Sequence, residues 1–331
     1  MRSRFAGLPL PPDAFASVMA TGIVSISAQD HHYRLISFLL AAIAAAAMVS
    51  LTTLAVVKTA VRRRFPFELT DPDVAVRLFT FVAACTVLGA RFRAHPGVLG
   101  ILATIAWITW FVLIAATARS MWPHLGTDLR DRAHGAWELV SVATSGLAIV
   151  TAQLAQLGHD VELLTIGIVM WLAALGFYGV ATWLISWRGA EGPGDDFWHP
   201  DIWILMGGLA IGTLAGDQLH RAGLAIVTHD WLLAAIRSAT VVTWVAATLW
   251  IAPLVYATVR HLHLRFAGAW WAMVFPLGMY SAATFAMKVE TGWRPFKMAS
   301  VVFFWVAFAA WLAVALAAVV ATVAAWRARP H

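Results

Sequence analysis

Residues 35–59 read LISFLLAAIAAAAMVSLTTLAVVKT, a stretch whose one charged side chain, Lys58, stands next to its end. An α-helix of about 20 apolar residues is long enough to cross the roughly 30 Å hydrocarbon core of a bilayer. The apolar residues run without the polar alternation that is typical of a barrel strand. The stretch therefore predicts a transmembrane helix.

Similar apolar runs lie on both sides of this stretch. The ten predicted spans are 10–29, 35–59, 75–92, 96–118, 135–156, 161–187, 201–220, 229–259, 269–289 and 299–326. Apolar residues make up 61% and charged residues 12% of the 331 residues, against about 45–50% and about 25% in soluble domains. We predict an all-α integral membrane protein, with one transmembrane domain over residues 1–331 and no inserted soluble domain.

The N-terminal segment and the cysteine content narrow the possibilities further. We expect no cleavable signal peptide, because Pro11, Pro12 and Asp13 precede the first apolar run. Cys85 is the one cysteine and falls inside a predicted span, which excludes a disulfide or a cysteine metal site within one chain. The histidines lack the spacing of a zinc helix. We predict neither a metal nor a cofactor.

Lysine and arginine residues are shared unevenly between the two sides of the predicted bundle. The side that holds the N-terminus collects most of them, among them the run Arg62, Arg63 and Arg64. Positive residues favour the cytoplasmic side, so we predict a multi-pass protein of the plasma or inner membrane with both termini in the cytoplasm. The net charge of +6 reflects this bias, and we do not expect nucleic-acid binding.

The odd-numbered spans carry small and hydroxyl residues in helical register, whereas the second, eighth and tenth spans contain no glycine. Two interpretations stay open: such stripes allow close helix packing, or they line a conduit that Gly and Pro residues bend. The alternation favours helical hairpins, with an inner ring of odd helices around a central pore. The candidate pore-lining residues are Ser17, Thr21, Gly22, Ser25, Ser141, Thr144, Ser145, Gly208, Gly212, Pro276 and Met279.

Four segments resemble one known family. They are 15–27 (FASVMATGIVSIS), 137–144 (WELVSVAT), 201–208 (DIWILMGG) and 270–284 (WWAMVFPLGMYSAAT). They are similar to the first, fifth, seventh and ninth helices of the tellurite-resistance/dicarboxylate transporter family, which includes slow-type plant anion channels and fungal malate and sulfite transporters. The first segment looks closer to the malate and sulfite branch.

The resemblance implies ten helices in five hairpins with quasi-five-fold symmetry, and a homotrimer with one pore in each subunit. It also implies that Phe275, just before Pro276, plugs the pore, and that Gly22 lies close to it. One departure is that the third and fifth spans contain no proline, although inner helices of the family are often kinked. From the residues alone, the alternative is that Phe275 packs against an outer helix.

Arg237, Asp217 and Glu138 are charged residues inside predicted spans, where an unpaired charge is costly. We expect Arg237 to form an ion pair with Asp217, or else to attract anions. Glu138 is interpreted either as a proton-coupling carboxylate or as a side chain that bonds locally.

Function follows from these patterns as a set of alternatives. The proposed path has no acidic band, and hydroxyls with a rim of Lys and Arg hold anions weakly. We predict an anion channel or transporter that moves small anions (chloride or nitrate, or a malate-type dicarboxylate, sulfite or tellurite) through a pore gated by an aromatic residue. The alternative is a proton-coupled carrier of a dicarboxylate or sulfite. An intramembrane lipid-modifying enzyme and a passive scaffold are the other classes considered, and we expect no enzyme.

Overall fold

The computed structural model describes residues 10–124, 127–191, 199–226, 229–261 and 270–327. Within these residues every regular element is helical, which confirms the predicted all-α class. The predicted domain ends at 1–9 and 328–331 lie outside the described residues. The main helices are α1 (Ala16–Asp30), α2 (Arg34–Arg62), α3 (Phe79–Arg91), α4 (Pro96–Met121), α5 (Leu139–Gly158), α6 (Val161–Ala190), α7 (Ile204–Ile226), α8 (Asp230–His261), α9 (Trp271–Thr291) and α10 (Arg294–Arg327).

The described helices are those of a multi-span membrane protein. Nine segments in the described part of the chain, which contain α2 to α10, are long and apolar enough to cross a membrane. The exception is α1, whose 15 residues extend about 22 Å at 1.5 Å per residue. It begins at Ala16 and not at the predicted residue 10, because the chain forms turns over residues 12–15 after Pro11 and Pro12.

Three odd helices begin with a break. A short helix, Pro72–Arg77, precedes α3, and single 3₁₀ turns at Gly135–Glu138 and Pro200–Trp203 precede α5 and α7. In contrast, α9 contains its proline, Pro276, inside the helix. The regular α-helix is therefore interrupted at the N-terminal ends of α3, α5 and α7.

Contacts between the helices form a closed ring. Each odd helix contacts the next odd helix, in the order α1, α3, α5, α7, α9 and back to α1. Each odd helix also contacts the even helix that follows it, and α10 returns to contact α1. We call the end where the odd helices begin the N-terminal mouth, and the other end the C-terminal mouth.

Burial separates the two sets of helices. In the most apolar window of the segments that contain α3, α5, α7 and α9, 72% to 94% of the residues are buried, against 11% to 28% in α2, α4, α6, α8 and α10. Helices that are apolar on all sides and exposed in the protein suit contact with lipid. The odd helices therefore form the inner layer and the even helices the outer layer.

Tryptophans of the outer layer donate hydrogen bonds to threonines of the inner layer. Trp110 Nε1 on α4 lies 2.9 Å from Thr144 Oγ1, and Trp311 Nε1 on α10 lies 2.9 Å from Thr21 Oγ1. An N–H group without water nearby must find a partner inside the protein. These hydroxyls therefore point from the inner helices toward the outer ones, contrary to the prediction that Thr21 and Thr144 line the ring axis.

Candidate functional site

Three cavities lie one after another along the axis of the helix ring. All five odd helices, or the turns that precede them, contribute to the lining of each cavity. The N-terminal pocket, with a volume of about 10 Å³, is lined by Asp13, Ala16, Met19, Arg77, Thr80, Ala136, Leu139, Asp201, Ile204 and Ala272. The central cavity, also about 10 Å³, is lined by Ile23, Ile26, Thr86, Val87, Ala90, Gly146, Ile149, Ile211, Leu214 and Met279. A C-terminal vestibule of about 640 Å³ opens beyond it.

The central cavity is small and apolar. Its one hydroxyl, on Thr86, donates to the Ala83 carbonyl. A volume of about 10 Å³ is close to the least that one water needs. The candidate residue Met279 lines this cavity, and the ring at this level has no room for a hydrated anion.

Phe275 lies between the N-terminal pocket and the central cavity along α9. Ala272 lines the pocket and Met279 lines the cavity. Because Phe275 is three residues from the first and four from the second, all three share one helix face. Its side chain is fully buried. Ala16, Thr80, Leu139 and Ile204 line the pocket on the other odd helices. The residues three positions after them are also buried, and they are Met19, Ala83, Val142 and Gly207.

This layer has one large ring among smaller groups. On the other inner helices, the residues at the level of Phe275 are Met, Ala, Val and Gly, which leave space that a ring can fill. Gly207 lies against Pro276, since a Cβ on Gly207 would stand 2.9 Å from Pro276 Cγ. Phe275 thus lies in a buried layer between the two cavities, although its side chain lines neither of them.

Charged residues connect four inner elements at the N-terminal mouth. Arg77, just before α3, lies 3.2 Å from Asp13 Oδ2, 3.6 Å from Asp201 Oδ2 and 3.1 Å from His134 Nε2. His199 Nδ1 lies 3.4 Å from Asp201 Oδ1, and this carboxylate raises the pKa of His199 above its ordinary value of 6.5. Three members of the network, Asp13, Arg77 and Asp201, also line the N-terminal pocket.

No sequence motif marks this network as a site. Its members are spread from Asp13 to Asp201, and each is the kind of acid, base or histidine that commonly caps a helix or stands in a loop. Arg77 is the residue from which the network could have been predicted. It stands within the predicted span 75–92, and an arginine there needs a partner.

The C-terminal vestibule has more basic than acidic groups. Its charged lining consists of Asp30, Arg34, Arg91, Arg93, Asp217 and Arg221. Arg221 Nε lies 3.0 Å from Asp217 Oδ2. Arg91 has no carboxylate partner among the described residues. Instead, its Nε donates to Ser25 Oγ at 2.8 Å and its Nη2 donates to Ser37 Oγ at 3.0 Å.

Several candidate lining residues have other neighbours. A Cβ on Gly208 would lie 3.0 Å from Tyr178 Cδ2, and one on Gly212 would lie 3.5 Å from Leu175 Cδ2, so both glycines face α6. Trp171 of α6 also donates to the Gly212 carbonyl. The prediction that these two glycines line the axis is corrected, since Gly208 and Gly212 instead allow α6 and α7 to approach closely.

The other candidates divide between packing and polar contacts. Ser17 Oγ donates to the Ala14 carbonyl, and Ser25 Oγ donates to the Ser37 carbonyl. Gly22 lies against Val87, whose Cγ1 would be 2.7 Å from an added Cβ. Ser141 is buried, and so is Ser145, whose Oγ has no hydrogen-bond partner within the described chain.

The predicted ion pair between Arg237 and Asp217 is not formed. Arg237 Nε lies 2.8 Å from Glu290 Oε1, whereas Asp217 pairs with Arg221 one turn later on α7. A partner four residues away on one helix is always within reach. Because Asp217 is paired locally, Arg237 pairs instead with Glu290 near the C-terminal end of α9.

Glu138 lies away from the axis. It is fully buried, and its Oε1 accepts a hydrogen bond from Thr182 Oγ1 of α6 at 2.8 Å. Its Oε2 has no hydrogen-bond partner in the part of the chain that is described. Glu138 is absent from the lining of all three cavities.

Comparison with known proteins gives two findings. A family model described as voltage-dependent anion channel matches residues 9–319. Uncharacterized membrane proteins from two strains of Mycobacterium tuberculosis are each 32% identical over 120 residues, which is 34% of this chain and 59% of the relative. The chain thus spans about three fifths of the length of these curated relatives.

Proposed function

The chain belongs to the voltage-dependent anion channel family, and from this premise we propose that it passes small anions through a membrane along the axis of its helix ring. Phe275 is the gate, and the path is closed while its ring fills the layer between the N-terminal pocket and the central cavity. Members of this family are channels or transporters, and we propose no enzymatic activity.

One observation carries this proposal. Cavities with contributions from all five inner helices lie on both sides of Phe275, which is fully buried. An aromatic ring in an apolar constriction excludes water and ions. Removal of the ring would join the two cavities, because the facing positions at this level are small or flexible.

The charge of the vestibule supports anions as the permeant class. Four arginines and two aspartates line it, and a positive mouth raises the local concentration of anions. We propose chloride or nitrate as permeant ions of the channel.

We extend the proposal to orientation and assembly. The positive-inside bias places the N-terminal mouth and both termini at the cytoplasm of the plasma or inner membrane, and the C-terminal vestibule outside. A homotrimer rests on the family resemblance alone.

A proton-coupled carrier of a dicarboxylate, sulfite or tellurite is the second candidate. The observation that favours it is the buried carboxyl group of Glu138, which has no cationic partner among the described residues and leaves Oε2 without a hydrogen bond. A carboxyl group in such a position is a candidate for reversible protonation during transport.

The test is current across planar bilayers that contain purified protein in a chloride gradient. We expect a larger anion-selective current from Phe275→Ala than from the wild type. Equal currents would overturn the gate. No current from either protein, together with pH-dependent malate or sulfite uptake into liposomes, would favour the carrier.

Phe304→Ala is the matched control. Phe304 is also fully buried, but it lies on the outer helix α10 beside Tyr33. This variant creates a cavity of the same size outside the ring, so we expect a loss of stability without an increase in current.

A further inference from the structure

We propose that the C-terminal vestibule contains a binding site for an oxyanion that has two or more oxygens on one atom, and that Arg91 is its main ligand. This inference rests on the proposed function, because it places a recognition site at one end of the same path. It adds a chemical preference, since a guanidinium fork distinguishes an oxyanion from a single halide ion.

The hydrogen bonds of Arg91 define which of its donors are available. Nε and Nη2 form the side edge of the guanidinium, and this edge is occupied by Ser25 Oγ and Ser37 Oγ. The two N–H groups of Nη1 and the second one of Nη2 have no hydrogen-bond partner in the part of the protein that the structure describes. One from each nitrogen forms the end-on fork, which matches two oxygens of a carboxylate or similar anion.

The two serines fix this fork independently of any ligand. Ser25 Oγ donates to the Ser37 carbonyl and Ser37 Oγ donates to the Ser25 carbonyl, both at 2.8 Å. Each hydroxyl oxygen is then free to accept from Arg91. A guanidinium that is already held in place loses little freedom when a ligand binds.

The charges around Arg91 leave its own charge available. Arg221 is paired with Asp217, whereas Arg34, Arg91 and Arg93 have no carboxylate within ion-pair distance in the described ranges. Asp30 is the remaining acid of the lining. The vestibule therefore has a positive balance close to the fork.

The cavity has suitable room. A volume of about 640 Å³ corresponds to on the order of twenty waters at about 30 Å³ each. An oxyanion can bind there while it keeps much of its hydration, which favours the weak, reversible binding that a conducting path requires.

Anion-dependent thermal unfolding of the purified protein in detergent tests the site without any transport. We expect the melting temperature of the wild type to rise with malate concentration, as it does when a ligand binds the folded state. Arg91→Gln should raise the malate concentration needed for the same rise at least about tenfold. Arg91→Lys keeps a charge without the fork, so we expect it to retain a response to chloride and to lose most of the response to malate.

We expect these variants to fold, because the reciprocal hydrogen bonds between Ser25 and Ser37 do not involve Arg91. Arg260→Gln is the control for loss of one positive charge. Arg260 is exposed near the end of α8 and contacts Tyr256, and its substitution should leave the response to malate unchanged.

Flux measurements on the same variants separate this inference from the proposed function. If Arg91→Gln responds to malate as the wild type does, the site is wrong, whatever the flux. If no variant conducts anions but only the Arg91 variants lose the malate response, the site stands and the proposed channel function falls.

Discussion

Pro276 of α9 lies directly against Gly207 of α7. A Cβ on Gly207 would stand 2.9 Å from Pro276 Cγ and 3.4 Å from its Cα. The proline ring is fixed to the backbone and can withdraw only slightly, by a change of pucker, so the contact limits how closely α9 approaches α7. Because Phe275 precedes Pro276, the same contact determines where the phenyl ring stands in the inner layer.

We expect Gly207→Ala to destabilise the protein by about 1–3 kcal/mol, the usual cost of forcing an extra methyl into a packed region. This loss should exceed the gain of about 1 kcal/mol that alanine normally gives over glycine inside a helix. Thermal unfolding in detergent measures the difference.

Gly176→Ala is the matched control for Gly207→Ala. Gly176 lies within α6, and a Cβ added there meets no atom within 4 Å. Its substitution should leave stability unchanged or raise it by up to about 1 kcal/mol. Equal melting temperatures for the two variants would show that the contact with Pro276 does not constrain α9.

The bond between Trp311 and Thr21 gives a second prediction. It joins the outer helix α10 to the inner helix α1 over 2.9 Å. Hydrogen bonds between membrane helices contribute about 0.6 kcal/mol on average and up to about 1.7 kcal/mol. We expect Trp311→Phe to lose a free energy of unfolding in this range.

A double-mutant cycle with Thr21→Val isolates the bond. The second substitution should cost less in the Trp311→Phe background than in the wild type, since the shared hydrogen bond is already absent. Additive effects of the two substitutions would contradict a direct bond between these side chains.

The sequence predicts the helices well because apolar length depends only on local composition. The runs around α2 and α10 have the lengths and the exposed surfaces that their composition indicates. The predicted start of α1 is less accurate, because turns over residues 12–15 replace the first part of the predicted span.

The direction in which a stripe faces is harder to predict. An inner helix has neighbours on all sides, so the pattern at Gly208 and Gly212 fixes a common face but not its partner. That partner is α6. Likewise, Arg237 pairs with Glu290, and no local pattern distinguishes this distant acid from the nearer Asp217.

His199 gives a prediction for pH dependence. The carboxylate of Asp201, 3.4 Å from His199 Nδ1, raises the pKa of the histidine above its ordinary 6.5. The protonated form is therefore favoured in the folded state. Its contribution to stability is fully present below about pH 6.5 and is lost as the pH rises through the higher folded-state value.

We therefore expect the melting temperature of the wild type to exceed that of His199→Gln at about pH 6, with a smaller difference at about pH 8.5. The histidine side chain is 43% exposed, so solvent weakens the effect. His95→Gln, at an exposed position before α4, controls for the loss of an imidazole. A difference that grows with pH would contradict the pairing with Asp201.

Glu138 distinguishes the two candidate functions, because it lies away from the path. Its Oε1 accepts from Thr182, and it lines none of the three cavities. Glu138→Gln keeps an oxygen for the Thr182 bond while it removes the ionisable group. In the Phe275→Ala background, we expect this variant to keep both the chloride current and its pH dependence, since ions pass along the ring axis.

Loss of pH-dependent malate uptake in Glu138→Gln but not in Thr182→Val would instead make the carboxyl group the proton site of a carrier, because the second variant removes the hydrogen bond and leaves the acid in place.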